Sequence, residues 1–141
     1  MTAPLIKTAS WFTPLPTDHQ RIGISRGQPR GQAAGFRMYR RLAPGPWFNS
    51  VDPVEYARLY RAEILAPLDP RAVAAGLADM AGSRVAVLLC FERPDDAGAW
   101  CHRALAAAWL AESLGIAVPE FGFESLPQDQ HPLRLPGPPD A

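Results

Sequence analysis

The chain has 141 residues, 48% of them apolar and 20% charged, which is the composition of one globular domain with a single core. No apolar run reaches the roughly 20 residues of a membrane-spanning helix, and the start MTAPLIKTAS lacks the apolar run of a secretory signal. These features argue against a membrane protein and predict a cytoplasmic location. In that reducing compartment the two cysteines are expected to be thiols or ligands rather than a structural disulfide.

The net charge is zero, but the arginines are unevenly distributed. Residues 19–51 contain no Asp or Glu and carry a local charge of +6, which the rest of the chain balances. Such a segment favours an anionic partner, either a phosphate-bearing small molecule or a nucleic acid. The alternative is a solvated basic loop in a chain that favours arginine, since Lys7 is the only lysine. The six cations are Arg21, Arg26, Arg30, Arg37, Arg40 and Arg41.

Two strands and two helices are predicted in the first half of the chain. LIKTASWF (5–12) and RIGIS (21–25) read as strands, and the glycine-rich segment after the second reads as a loop. Asp52 and Pro53 are typical of a helix start, and Pro67 ends that helix. Asp69 and Pro70 repeat the pattern for a helix that ends at Gly82.

The second half begins with the strongest strand, RVAVLLCF (84–91). Its apolar run from Val85 to Leu89 is continuous rather than alternating, which is typical of a central parallel strand. A helix from about Cys101 to Ser113 and a last strand from Val118 to Glu124 follow. Residues 127–141 are rich in proline and predict a flexible tail.

This order predicts an α/β fold: a single domain, residues 1–126, with a small, mostly parallel sheet flanked by helices in a Rossmann-like three-layer arrangement. Ligands bind such sheets beyond the carboxyl ends of the strands. Two loops should lie there, SRGQPRG after the second strand and ERPDDAGAWC after the central strand. We expect them to face each other across a crevice.

The second loop is bounded by a cluster of chemically active residues. Cys90 and Glu92 are two positions apart in a strand, so they should project together. Cys101, His102 and Arg103 begin a helix, whose dipole favours a thiolate. Cys101 is therefore a candidate nucleophile or redox thiol, with His102 tuning it or moving protons. Glu92 would orient His102 or Arg103, and Arg103 would bind an anion or pair with Glu92.

Other interpretations of the cluster stay open. Zinc could be held by Cys90, Cys101 and His102, with Glu92 or water as the fourth ligand. The spacing is not that of a tight Cys-x-x-Cys pair, so we predict no metal and leave the cofactor undefined. The sequence does not exclude a disulfide between Cys90 and Cys101. Each residue of the cluster is also compatible with a purely structural role in a packed interior.

The loop after the second strand is a candidate anion site. The segment resembles a backbone nest that binds anions, with guanidinium groups beside it, and its residues are Ser25, Arg26 and Arg30 with the glycines between them. The Gly-Lys-Ser/Thr sequence of the standard phosphate-binding loop is missing. A solvated basic loop is the alternative. The nearby aromatic residues are either stacking surfaces for bases or core residues; they are Trp11, Trp47 and Phe48.

The segment LLCFE…WCHRALAAAWL resembles the DUF488 family, whose mark is a strand ending in Cys-x-Glu followed by Cys-His-Arg at a helix start. RIGISRGQPRG resembles the family's strand that ends in an arginine and then a proline, here Arg26 and Pro29, although Ser25 stands where an acidic residue is common. The resemblance covers residues 5–124. It implies an α/β fold and a shared site but no established activity. The site residues it implies are Cys90, Glu92, Cys101, His102 and Arg103.

Two functions follow as hypotheses. In the first, the cluster performs thiol-based chemistry on an anionic, phosphate-bearing substrate. In the second, the protein is a non-enzymatic nucleotide or nucleic-acid binding module that uses residues 19–51, and the cluster is structural. A zinc-stabilised scaffold is a third reading, and an uncovered sheet edge is compatible with a homodimer.

Overall fold

The computed structural model describes residues 5–137. Its centre is a four-stranded sheet in which every pair of neighbouring strands is parallel. The strand Val85–Cys90, named β4 below, is an inner strand of the sheet, and its residues Val87, Leu88 and Leu89 are fully buried. The prediction of a buried central strand is therefore confirmed. The α/β class and the single parallel sheet are confirmed as well. The strands, in the sheet order β1-β4-β2-β3, are β1 (Ile6–Ser10), β4 (Val85–Cys90), β2 (His19–Gly23) and β3 (Arg37–Met38).

Two of the α-helices begin at the predicted capping residues, and the third begins one residue after Cys101, which caps it. The Asp52 side chain accepts a hydrogen bond from the Glu55 amide at 2.9 Å, and Asp69 caps the second helix in the same way. The first helix continues as a π-helix over Tyr60–Leu65. Within residues 5–137, none of the helices combines the length and the apolar character needed to cross a bilayer. The helices are α1 (Pro53–Leu59), α2 (Pro70–Ala81) and α3 (His102–Leu114).

All three helices pack on one face of the sheet. Their apolar side chains form one cluster with sheet residues such as Ile22 and Leu88. The second face is covered by loop and edge-strand side chains, among them Phe36 and Phe121. The expected three-layer arrangement therefore does not form. The proline- and glycine-rich segment between β2 and β3 forms no helix that could cover the second face.

The predicted last strand, Val118–Glu124, is wrong. The chain only touches β1 there, through one isolated parallel bridge between Thr8 and Glu120. The Thr8 amide donates to the Pro119 carbonyl at 2.9 Å, and the Phe121 amide donates to the Thr8 carbonyl at 2.7 Å. Pro119 has no amide hydrogen to extend the ladder, and Gly122 turns the chain away at φ +89°. The contact nevertheless fixes Glu120 beside Thr8.

Within the segment that we expected to be a flexible tail, residues 128–133 pack against the domain, and residues 138–141 lie outside the described part of the chain. Gln128 begins a short 3₁₀ turn, and its side-chain amide pairs with both backbone groups of Val118, at 2.7 and 2.9 Å. His131 and Leu133 are buried. These contacts supply the hydrogen bonds and apolar burial that a proline-rich composition does not predict.

Candidate functional site

One cavity of about 620 Å³ opens at the carboxyl edge of the sheet. The loop after β2 lines it with residues 25–28, and the loop after β4 lines it with residues 91–92 and 98–100. Cys90, Cys101 and His102 also line it, from the end of β4 and the start of α3. The expected crevice between the two loops is therefore present, and the candidate cysteines lie in its wall.

The two sulfurs and one imidazole nitrogen converge in this wall. The Nδ1 atom of His102 lies 3.7 Å from the Sγ atom of Cys90 and 3.7 Å from the Sγ atom of Cys101. All three atoms lie within 4.8 Å of one another. Both cysteines are free thiols. The strand end and the helix start, which are separated by a loop in the sequence, thus build one compact group.

His102 is oriented by the backbone just after β2, at Ile24, and not by Glu92 as we expected. Its Nε2 atom lies 2.7 Å from the Ile24 carbonyl oxygen, which can only accept, so Nε2 carries the hydrogen. In the neutral ring, Nδ1 then carries a lone pair that faces both sulfurs. The ring is buried and packs on Tyr60, with centroids 5.5 Å apart. Strand, loop and helix together hold this nitrogen in place.

The two thiols have different environments. Burial raises the pKa of Cys101, but the hydrogen bond from Cys90 and the charges of His102 and Arg103 outweigh it and hold this pKa well below its usual value. The Cys101 sulfur also caps α3 and accepts from the Arg103 amide at 3.5 Å. The hydrogen bond to Cys101 and burial raise the pKa of Cys90. Cys101 is therefore the more readily ionised thiol of the pair.

Glu92 lines the same cavity as Cys90, as their spacing predicts. Its Oε1 atom is buried and has no hydrogen-bond partner within residues 5–137. Burial, followed by the charge of Cys101, raises the pKa of the carboxyl group. A carboxyl group whose pKa is raised in this way is suited to donate a proton.

Arg103 does not reach the cavity, so its predicted role in anion binding does not fit the structure. The side chain is completely buried and pairs with Glu120 in a bidentate arrangement, Nε–Oε1 3.0 Å and Nη2–Oε2 2.7 Å. Nη2 also donates to the Glu92 carbonyl oxygen at 2.8 Å. A guanidinium in the interior requires such a partner. Sequence reasoning placed Glu120 in a strand and missed this role.

Glu120 is also the end of a hydrogen-bonded chain from the C-terminal segment. The Leu133 amide donates to Nδ1 of His131 at 3.0 Å, which leaves Nε2 of His131 to donate to Thr8 at 2.8 Å. The Thr8 hydroxyl then donates to Glu120 at 2.6 Å. The Leu133 side chain packs against both cysteines, and its carbonyl accepts from the Cys101 amide at 3.0 Å. The segment that was expected to be flexible supports the back of the site.

The predicted anion residues of the first loop separate into different roles. Arg26 lies at the cavity, donates to the Pro44 carbonyl at 3.0 Å and stacks over Phe48, 5.1 Å from the ring centroid. The Ser25 hydroxyl accepts from Trp11 and donates to the Gly27 carbonyl, so it holds the loop. Arg30 is exposed and does not line the cavity.

Aromatic residues form a large part of the cavity wall. Phe48, Tyr56 and Trp100 all line it, and the last two pack edge to face with centroids 5.0 Å apart. Trp11, by contrast, is a core residue. Tyr56 and Trp100 were not predicted as site residues. Tyr56 belongs to an apolar stripe at helical spacing, which is typical of core, and Trp100 lies in a loop without a pattern that singles it out.

No family model matches this chain, and no curated protein or solved structure is significantly similar to it.

Proposed function

We propose that the protein binds a small anionic molecule in the cavity and that the sulfur of Cys101 reacts with it. The position of that sulfur carries the proposal. It caps the first turn of α3, lies beside the His102 imidazole and lines a cavity large enough for a small molecule. A thiol at a helix start beside a histidine is an arrangement used for nucleophilic cysteines.

The neighbouring groups suit one step of group transfer. His102 accepts the proton of Cys101 through Nδ1, since Nε2 already carries a hydrogen. The sulfur forms a bond to an electrophilic atom of the ligand, and the bond from that atom to its leaving group breaks. The protonated carboxyl group of Glu92 gives its proton to the leaving group. Water then attacks the bound acyl or phosphoryl group and breaks its bond to sulfur. The proton of that water goes to the Glu92 carboxylate, and the proton on His102 returns to the sulfur, which restores the thiol.

The walls of the cavity favour a flat ligand with one negative group. Arg26 is held at its edge by Pro44 and Phe48, with its guanidinium available to an anion such as phosphate. Tyr56 and Trp100 offer ring surfaces beside it. A phosphate-bearing or carboxylate-bearing planar compound is therefore the substrate class that fits.

Membership of the DUF488 family is part of the same proposal. It rests on the Cys-x-Glu pattern of Cys90 and Glu92 and on the Cys-His-Arg pattern at the start of α3. Cys90, Glu92 and the first two residues of the second pattern line one cavity, which is what a shared site requires. Membership would imply no known activity that could be assayed, so the experiment below measures the reactivity of the Cys101 thiol.

Alkylation of the chelator-treated protein by iodoacetamide at neutral pH tests the proposal. We expect Cys101 to be modified at least ~10-fold faster than Cys90, because thiolate character controls the rate. Cys90→Ser, which keeps a hydroxyl donor, should retain the fast reaction, and Cys101→Ser should lose it. Mass spectrometry of peptides identifies the modified residue. Equal and slow modification of both cysteines would contradict the assignment.

The same reaction reports on the anion. The ratio of the alkylation rate with iodoacetate to that with iodoacetamide should be higher at Cys101 than for free glutathione, because Arg26 attracts the carboxylate. Arg26→Gln should lower this rate ratio to the glutathione value, and Arg30→Gln, the matched change outside the cavity, should leave the ratio unchanged. An unchanged rate ratio in Arg26→Gln would show that Arg26 does not attract the anion.

A nucleic-acid binding role is the second candidate, and one observation favours it. Five of the arginines in residues 19–51 are exposed, and within residues 5–137 none of them forms an ion pair. Unneutralised guanidinium groups on one segment attract phosphate. The exposed residues are Arg26, Arg30, Arg37, Arg40 and Arg41.

The salt dependence of binding distinguishes this role. If the segment contacts duplex DNA, Arg40→Gln/Arg41→Gln should reduce the slope of log K against log salt by about 2, since each phosphate contact contributes roughly 0.9. Arg61→Gln/Arg71→Gln removes two exposed arginines from the helical side and should leave the slope unchanged. Fluorescence anisotropy with a labelled duplex measures both. Equal slopes in the two double variants would rule out the segment as the contact surface.

A further inference from the structure

The two sulfurs and the Nδ1 atom of the candidate site also have the arrangement of a metal-ligand set. We infer that Cys90, Cys101 and His102 bind one zinc ion. In a tetrahedral zinc site, bonds of about 2.3 Å to sulfur and 2.0 Å to nitrogen place the sulfur and nitrogen ligands about 3.5 Å apart. Both sulfur–nitrogen distances here are 3.7 Å, and the whole set lies within 4.8 Å.

The orientation of the imidazole is the second observation. A histidine that binds a metal through one nitrogen usually donates its other N–H to a carbonyl or carboxylate. The Nε2 atom of His102 has this partner, the Ile24 carbonyl oxygen at 2.7 Å. Nδ1, the ring nitrogen that remains for a metal, therefore faces the sulfurs. A ring that served only as packing would not need its free nitrogen aimed at two thiols.

The site also has room for a fourth ligand. All three ligand residues line the cavity, and so does Glu92, whose buried Oε1 atom has no hydrogen-bond partner within residues 5–137. A carboxylate or a water molecule on the cavity side would complete four-coordination. Two thiolates and one imidazole select zinc over magnesium or calcium, which prefer oxygen ligands.

The inference goes beyond the proposed function and does not require it. Zinc would be held by the sulfur that the proposed reaction uses, so a bound ion would block the attack by Cys101. If both hold, zinc controls the availability of the nucleophile. If only the metal site holds, the open fourth position is where a ligand from the cavity would bind.

Zinc binding to the chelator-treated full chain tests the inference. We expect one zinc ion per chain by native mass spectrometry, and a thiolate charge-transfer absorption when cobalt replaces zinc. Cys90→Ser, Cys101→Ser and His102→Gln should each weaken zinc binding by more than about 100-fold in competition with a chromogenic chelator, because outer-shell partners alone are worth roughly 10–100-fold. His19→Gln, a histidine outside the set, is the matched control.

Circular dichroism of each variant without metal separates loss of ligands from loss of fold. Variants that fold and still bind zinc as the wild type does would overturn the inference, as would a wild-type chain that takes up no zinc. Alkylation of Cys101 with and without zinc separates the two proposals. Fast modification that zinc does not slow supports the reactive thiol alone. Slow modification in the chelated protein, together with one tightly bound zinc, supports the metal site alone.

Discussion

Replacing Glu120 with leucine should lower the free energy of unfolding by about 3–5 kcal/mol, the cost of leaving one partner of a buried ion pair without the other. Arg103 is completely buried and Glu120 is 1% exposed. Without Glu120 the guanidinium keeps only the Glu92 carbonyl as a hydrogen-bond partner among residues 5–137, since its Nη1 atom has none. Urea unfolding followed by circular dichroism measures the change.

Two variants make this result interpretable. Glu124→Gln removes a carboxylate that pairs with Lys7 at 2.9 Å on the surface, and should cost no more than ~1 kcal/mol. Arg103→Met/Glu120→Leu removes both buried charges, and should recover most of the loss, because a buried pair is often replaceable by apolar side chains. A double variant as unstable as Glu120→Leu would show that the loss comes from packing rather than from an unpaired charge.

The pair also links the fold to the site. Arg103 follows His102 at the start of α3, and its Nη2 atom holds the backbone carbonyl of Glu92. Glu120 holds Arg103 from the chain that runs beside β1. The loop that carries Glu92 and the helix start that carries Cys101 are therefore fixed to each other by a group that lies behind the cavity.

The sequence predicts the cavity-facing half of the site because its signals are local. The apolar run of β4 ends at Cys90, and Cys101 precedes the α-helical residues of α3, so both fall at the carboxyl edge of a parallel sheet. Alternation places Cys90 and Glu92 together. Capping residues likewise locate α1 and α2. Each inference needs only a few neighbouring positions.

The supporting half of the site could not be predicted in this way. Glu120, His131 and Leu133 act through partners more than ten positions away or through a segment without periodicity. Prolines suggest disorder where a hydrogen-bonded chain in fact orders the backbone. The role of Arg103 was misjudged for a related reason, because sequence does not show whether a cation beside a cysteine faces solvent or a buried carboxylate.

Stability should fall as acid protonates Glu120. Burial raises the pKa of this carboxyl group, but the nearby His131 ring, 3.4 Å away, the hydrogen bonds from Arg103 and Thr8 and the charge of Arg103 outweigh it and lower the pKa to about 2. The unfolded chain has an ordinary glutamate pKa near 4.3. Because the folded pKa is the lower one, the contribution is complete above about pH 4.3 and is lost as pH falls through about 2.

The size of the effect is about 3 kcal/mol, since each unit of pKa difference is worth roughly 1.4 kcal/mol. NMR titration of the Glu120 side-chain carboxyl carbon tests the pKa directly, and Glu120→Gln identifies the signal. Urea unfolding at a series of pH values tests the linkage, because Glu120→Gln should lose less stability than the wild type between pH 5 and pH 2. A Glu120 signal that titrates near pH 4.3, or parallel stability curves for the two proteins, would show that the buried pair does not depend on an ionised Glu120.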